Sequence, residues 1–199
     1  MGRTIMTSVT PAKHNRRSVR LPDYDYSKPG AYFITICVRN RECLFGEIIN
    51  GEMRLNEFGE IVSEKWLWLA QQYLYIKLDE FVVMPNHFHG ILWIRDISRR
   101  GGSRPAPTQS DTFYNDIKIK PVGQLIGVLK TVSAKQVNIA RNTVGFPVWQ
   151  RDFYDHIGHN ENELIQIRQY IRNNPSAWDN DNENPVLKSP WYVAMPNPQ

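Results

Sequence analysis

Two histidines two residues apart, His87 and His89, are the first side chains in this 199-residue chain whose type and spacing allow chemistry. Side chains on a β-strand alternate between faces, so both imidazoles project together while Phe88 points into the opposite layer. Two imidazoles side by side can hold one divalent ion if another ligand or two converge on it. Taken alone, the triplet reads more readily as one packed and one exposed histidine. A second group lies near the end of the chain. In a helix opening at Glu161, Leu164, Ile167 and Ile171 form the buried stripe. Tyr170 sits at the stripe's edge, about 60° from Ile167 at ~100° per residue. Asn174, at i+4 from Tyr170, shares its face, and its amide oxygen can supply a third ligand for the same ion. The plain alternative for Tyr170 is an amphipathic residue covering a core edge.

The elements around these residues set their positions. Residues 31–38, AYFITICV, are rich in aromatic and β-branched types and read as a strand. A second strand covers 44–49, and Asn50-Gly51 makes a tight hairpin turn into 52–55. Asn56 caps a helix carrying Ile61, Val62, Trp66, Leu69 and Ala70 at helical spacing. Residues 81–94 are the most apolar stretch and read as one central strand buried on both faces, bulged or kinked at Pro85-Asn86. Residues 122–140 form a helix, 149–157 a strand, and Asn160 with Glu163 a capping box for the last helix, which Pro175 ends. The order predicts an α+β sandwich, one antiparallel sheet with helices packed on it. Residues 1–20 form a basic arm, about 96–120 a flexible insertion loop rich in Gly, Ser, Pro and Arg, and 179–199 a polar C-terminal tail.

Composition narrows the class without choosing a function. An apolar fraction of 41% with six tryptophans fits a folded domain rather than a disordered chain. A net charge of +4 and a pI of about 9.1 permit a polyanionic partner without requiring one. Cys37 and Cys43 read as reduced, partly buried thiols, and no paired-cysteine zinc spacing occurs. No segment is long and apolar enough to cross a membrane, and none has a signal-peptide pattern, so a soluble, cytoplasmic, nucleoid-associated protein is expected.

Three motifs together resemble a known family. Phe81-Val-Val-Met-Pro-Asn-His87-Phe-His89-Gly90 is similar to the histidine–hydrophobe–histidine (HUH) motif of single-tyrosine transposases. Val148-Trp-Gln-Arg151 with Tyr154-Asp-His-Ile157 resembles the segment before their catalytic helix, and Tyr170-Ile-Arg-Asn-Asn174-Pro175 resembles the helix itself. The order and separation also agree, and the chain most resembles the REP-associated tyrosine transposases over about residues 21–178. This likeness implies a ferredoxin-like fold, with His87, His89 and Asn174 as metal ligands and Tyr170 as nucleophile. It further implies a divalent metal, Mg²⁺ or Mn²⁺, and single-stranded DNA with a hairpin as substrate. Attack by Tyr170 would leave a 5′-phosphotyrosine and a free 3′-hydroxyl. Arg16, Arg17, Arg20, Lys118, Lys120, Lys130 and Arg141 are candidate phosphate contacts, although Lys130 and Arg141 read equally as ordinary solvated helix charges. A monomer and a homodimer are both compatible with the pattern. Two rival functions share it: a DNA-binding regulator that keeps the fold without cutting, and a metal-dependent hydrolase in which water attacks.

Overall fold

A computed structural model describes residues 24–97, 117–181 and 183–185. Four strands build the main sheet: β1 (Gly30–Cys37), β4 (Ile76–Val83), β5 (His87–Ile94) and β6 (Tyr154–Gly158). They lie in the order β4-β5-β1-β6, and every neighbouring pair is antiparallel. Strands β2 (Gly46–Ile49) and β3 (Glu52–Leu55) form a separate hairpin. With that hairpin set aside, the chain runs strand, helix, strand, strand, helix, strand, the ferredoxin-like pattern expected from the sequence. The helices are α1 (Glu57–Gln72), α2 (Val122–Ala140) and α3 (Glu161–Asn173).

Strand alternation divides the interior into two unequal parts. Tyr32, Ile34 and Ile36 of β1 with Phe88, Leu92 and Ile94 of β5 face α1 and α2, and pack against Trp66, Leu69, Leu125 and Leu129. The opposite face carries Ala31 and Ile91, covered by Leu164 and Ile171 of α3. Because both faces of β5 are covered, seven of its eight residues are buried, and the eighth, Trp93, is half-buried. That is why its sequence is so apolar. Gly90 is required by packing, since a Cβ there would stand 2.8 Å from the Trp66 ring and 2.7 Å from that of Phe88.

Local sequence chemistry explains the boundaries. Asn56 Oδ1 accepts the backbone N–H groups of Phe58 and Gly59, and Asn160 Oδ1 accepts that of Glu163, so both asparagines cap as their positions predict. The Glu163 carboxylate reaches back to the His159 backbone N–H and to His156 Nε2, rather than to Asn160. Asn50 and Gly51 both have positive φ, 54° and 76°, as a type I′ turn requires.

Several expectations need correction. Residues 81–94 are two strands rather than one: Pro85 and Asn86 form a reverse turn, closed by the Met84 N–H donating to the His87 carbonyl at 2.8 Å. Apolar runs on either side of a tight turn look continuous in sequence, and proline marks the turn more often than a kink. The bulge lies instead between Leu78 and Phe81. The strand read over 149–157 shortens to Tyr154–Gly158, with Trp149 making only an isolated bridge to Val38, and β2 begins at Gly46. Neither cysteine is in a disulfide, and Cys37 is partly buried as expected, but Cys43 is exposed. The basic arm with Arg16, Arg17 and Arg20, and most of the 96–120 loop, lie outside the described residues. Among the described residues no helix is long and apolar enough to cross a membrane.

Candidate active site and metal centre

The hairpin turn delivers both imidazoles to the sheet face that α3 covers, with ring centroids 4.5 Å apart. β1 supplies the floor. Thr35 is paired in register with His89, and its Oγ1 lies 2.8 Å from His89 Nδ1. Phe33, two residues earlier on the same face, stacks on His89 at 5.4 Å and meets Tyr170 edge-on at 6.1 Å. The Tyr170 hydroxyl stands 3.3 Å from His89 Nε2.

The hydrogen-bond network fixes the tautomer of His87. Asn86 Nδ2 donates to the carbonyl oxygens of Arg41 (3.1 Å) and Glu183 (2.7 Å), so its Oδ1 is an acceptor. That oxygen lies 2.8 Å from His87 Nδ1, which therefore bears the proton and leaves a lone pair on Nε2. Burial pushes the His87 pKa down to about 4 and holds His89 well below its ordinary value, so both rings are neutral at neutral pH. Burial, then the Asp181 carboxylate, raises the Tyr170 pKa, while the Asn174 side chain draws it back down.

Two buried acceptors at this point have no hydrogen-bond partner: His87 Nε2 and Asn174 Oδ1. His87 is fully buried and Asn174 is 3% exposed. A buried polar atom left unpaired costs about 1–3 kcal/mol, so two lone pairs left together call for a cation or a donor from outside. Two neutral imidazoles and a carboxamide oxygen are donors that a divalent first-row ion accepts, and the residues fit such an ion. Among the described residues no group of three His, Cys, Asp or Glu side chains is close-set enough to hold an ion as it stands. An adjoining cavity of about 540 Å³, lined by Phe33, Thr35, Tyr154, Tyr170 and Asp181 among others, gives the site its access.

An ion pair seats the helix that carries Tyr170. Arg168 donates from Nε to both Asp79 carboxylate oxygens (3.1 and 3.2 Å) and from Nη2 to Oδ2 (2.8 Å), tying α3 to β4. Its Nη1 also donates to Glu161 at 2.6 Å, and Arg172 pairs with Glu80 one turn on. Asp79 accepts the Trp93 indole N–H at 3.0 Å as well. Mainly through Arg168, its pKa is held down to about 2.

His87, His89, Tyr170 and Asn174 are thus brought together. The basic candidates are dispersed. Lys130 Nζ donates to the carbonyls of Gln150 and Arg151 at 2.6 and 2.7 Å, pinning the segment before β6. Arg141 donates to Asn138 Oδ1 and lies over the Phe146 ring. Lys118 is exposed and Lys120 half-buried. Four contributors escaped the sequence reading: Thr35, Asn86, Asp79 and Asp181. Asn86 stands directly before the histidine pair, so adjacency was its signal. Asp79 had none, and Asp181 stands in an Asp/Asn-rich run that reads as tail.

No family model matches the chain. Among solved structures, it is similar to a REP-associated tyrosine transposase bound to a REP hairpin: 17% identity, 79% of this chain, 73% of that one, TM-score 0.48. It is also similar to a protein of Deinococcus radiodurans R1 considered a transposase: 18% identity, 77% and 95% coverage, TM-score 0.42. A Haemophilus influenzae protein described as uncharacterized is 42% identical over 170 residues, spanning 84% of this chain and 92% of its own. At that identity and coverage the two share one fold and one ancestry, and the chain belongs to the family of this Haemophilus influenzae protein.

Proposed function

We propose that the protein is a metal-dependent single-strand DNA endonuclease and transposase of the single-tyrosine class, acting on hairpin-bearing DNA through a covalent 5′-phosphotyrosine. The observation that carries this reading is the placement of the Tyr170 hydroxyl 3.3 Å from His89 Nε2, beside the unpaired acceptors of His87 and Asn174. His87, His89 and Asn174 would hold a divalent ion, Mg²⁺ or Mn²⁺, which when bound polarises the scissile phosphate and offsets charge in the transition state.

The chain's own groups do the rest. Burial and Asp181 disfavour the phenolate, so Tyr170 is held protonated, a poor nucleophile until a cation lies close. Its hydroxyl lies within hydrogen-bond reach of His89 Nε2, the atom that would hold the ion. The phenol oxygen then attacks phosphorus, the bond to the 3′-oxygen breaks, and the phenol proton leaves for solvent while the departing 3′-oxygen takes one up. The phosphotyrosine ester keeps the phosphoester bond energy and is open to reversal by another 3′-hydroxyl. Phe33 and Thr35 hold His89 in place, and the half-exposed Tyr154 offers a ring on which an unpaired base can stack.

The test is incubation with Mn²⁺ and a hairpin-bearing single-stranded oligonucleotide, followed by a denaturing gel. The expected result is a protein–DNA adduct that Tyr170→Phe abolishes. Cleavage without an adduct would make the protein a hydrolase, and binding without cleavage a regulator.

A further inference from the structure

A carboxylate from beyond the three motifs faces the same point as the histidine pair. After α3 the chain makes a short 3-10 turn, Trp178–Asn180, and comes back over the site. Asp181 Oδ1 is committed, accepting the Glu183 backbone N–H at 2.8 Å. Its other oxygen, Oδ2, stands 3.9 Å from His87 Nε2, with the Asp181 side chain only 13% exposed. The returning segment is fastened: Asn86 Nδ2 donates to the Glu183 carbonyl, Arg41 pairs with the Glu183 carboxylate, and Asn184 Nδ2 donates to the Trp178 carbonyl.

The His87–Asp181 contact is not a hydrogen bond. At 3.9 Å it is too long, and the tautomer is wrong, because His87 bears its proton on Nδ1. A nitrogen lone pair therefore faces a carboxylate oxygen across a gap holding no proton, and the buried Asn174 Oδ1 beside them is likewise unpaired. Two acceptors this close repel unless a cation stands between them. Donors bound to one ion at about 2.0–2.2 Å each lie at most about 4.2 Å apart, and 3.9 Å falls inside that limit.

We infer that Asp181 is an additional ligand of the metal site, joining His87, His89 and Asn174 from the segment that follows α3. The inference rests on the metal reading of the site proposed above. An anionic oxygen beside two imidazoles adds electrostatic affinity and moves preference toward the harder ions Mg²⁺ and Mn²⁺.

Mn²⁺ binding to the full chain, measured by isothermal titration and by electron paramagnetic resonance of the bound ion, tests this without DNA or turnover. Asp181→Ala is expected to weaken Mn²⁺ about tenfold or more and to change the resonance of the bound ion, with Asp181→Asn falling between it and wild type. Because Asp181→Asn keeps the oxygen that accepts from Glu183, it stays informative if the alanine variant unfolds. Affinity within about twofold of wild type in a folded Asp181→Asn or Asp181→Ala protein, with an unchanged resonance, overturns the inference. If His87→Ala still abolishes binding in that case, the metal site itself stands. Absence of Mn²⁺ binding to wild type overturns both.

Discussion

Replacing Asp79 by asparagine tests whether the helix bearing Tyr170 is held by charge. The substitution keeps size and one oxygen for the Trp93 indole, but removes the anion that Arg168 grips with two nitrogens. The carboxyl pKa falls from an ordinary 3.8 to about 2, and each unit is about 1.36 kcal/mol, giving about 2.4 kcal/mol as a ceiling. Both side chains retain some exposure, 17% and 21%, so solvent screening reduces this to about 1–2 kcal/mol. For a domain of this size that is a fall in Tm of about 2–8 °C. The sign follows from linkage: a depressed carboxyl pKa stabilises the fold above about pH 4, and the stabilisation is lost as pH falls toward about 2. Thermal unfolding of wild type and Asp79→Asn at neutral pH, and between pH 4 and 2, reads both effects. A double-mutant cycle with Arg168→Ala isolates the pair. Unchanged Tm in Asp79→Asn, or a coupling near zero, would refute the argument that this ion pair seats α3.

Tyr170→Phe should remove adduct formation while leaving Mn²⁺ affinity intact. It should change stability by less than about 1 kcal/mol, since the side chain is half-exposed and its hydrogen bond to His89 is long; calorimetry and the gel assay check this. Gly90→Ala should cost about 1–3 kcal/mol, because the added methyl meets the Trp66 and Phe88 rings below 3.0 Å; denaturant unfolding reads the loss as a lowered midpoint. In metal-free protein, His87 has a pKa near 4 against an ordinary 6.5, so the unfolded chain binds more protons between those values. Stability should therefore fall as pH drops from about 6.5 to about 4, and His87→Gln should flatten that slope in unfolding curves taken across the range.

The parts legible in sequence were those encoded by short-range rules. Asn56 and Asn160 cap helices because a side-chain oxygen serves N–H groups two or three residues away, and Asn50-Gly51 turns because both residues tolerate positive φ. The pairing of His87 and His89 on one face follows from the strand period alone. The sequence did not show what depends on distant partners. Asp79 lies in an ordinary amphipathic strand, and only the fold sets Arg168 against it, 89 positions later. Asp181 lies in a polar run whose composition resembles loop, and its burial depends on Asn86 holding the neighbouring Glu183 backbone. The Pro85-Asn86 turn looks continuous with its surroundings because residues 81–84 before it and the strand after it are apolar on both faces, which erases the alternation that would mark two strands.

The sheet order has a consequence for how the protein comes into being. β1, the first of the sheet's strands along the chain, lies between β5 and β6, its third and fourth. On a ribosome adding about 5–20 residues per second, the histidine pair and its Thr35 support are complete long before Tyr170, Asn174 and Asp181 appear. A nascent or prematurely ended chain thus carries the two imidazoles without Tyr170. The order of synthesis itself keeps Tyr170, the proposed nucleophile, out of reach until the last sheet strand has been laid down.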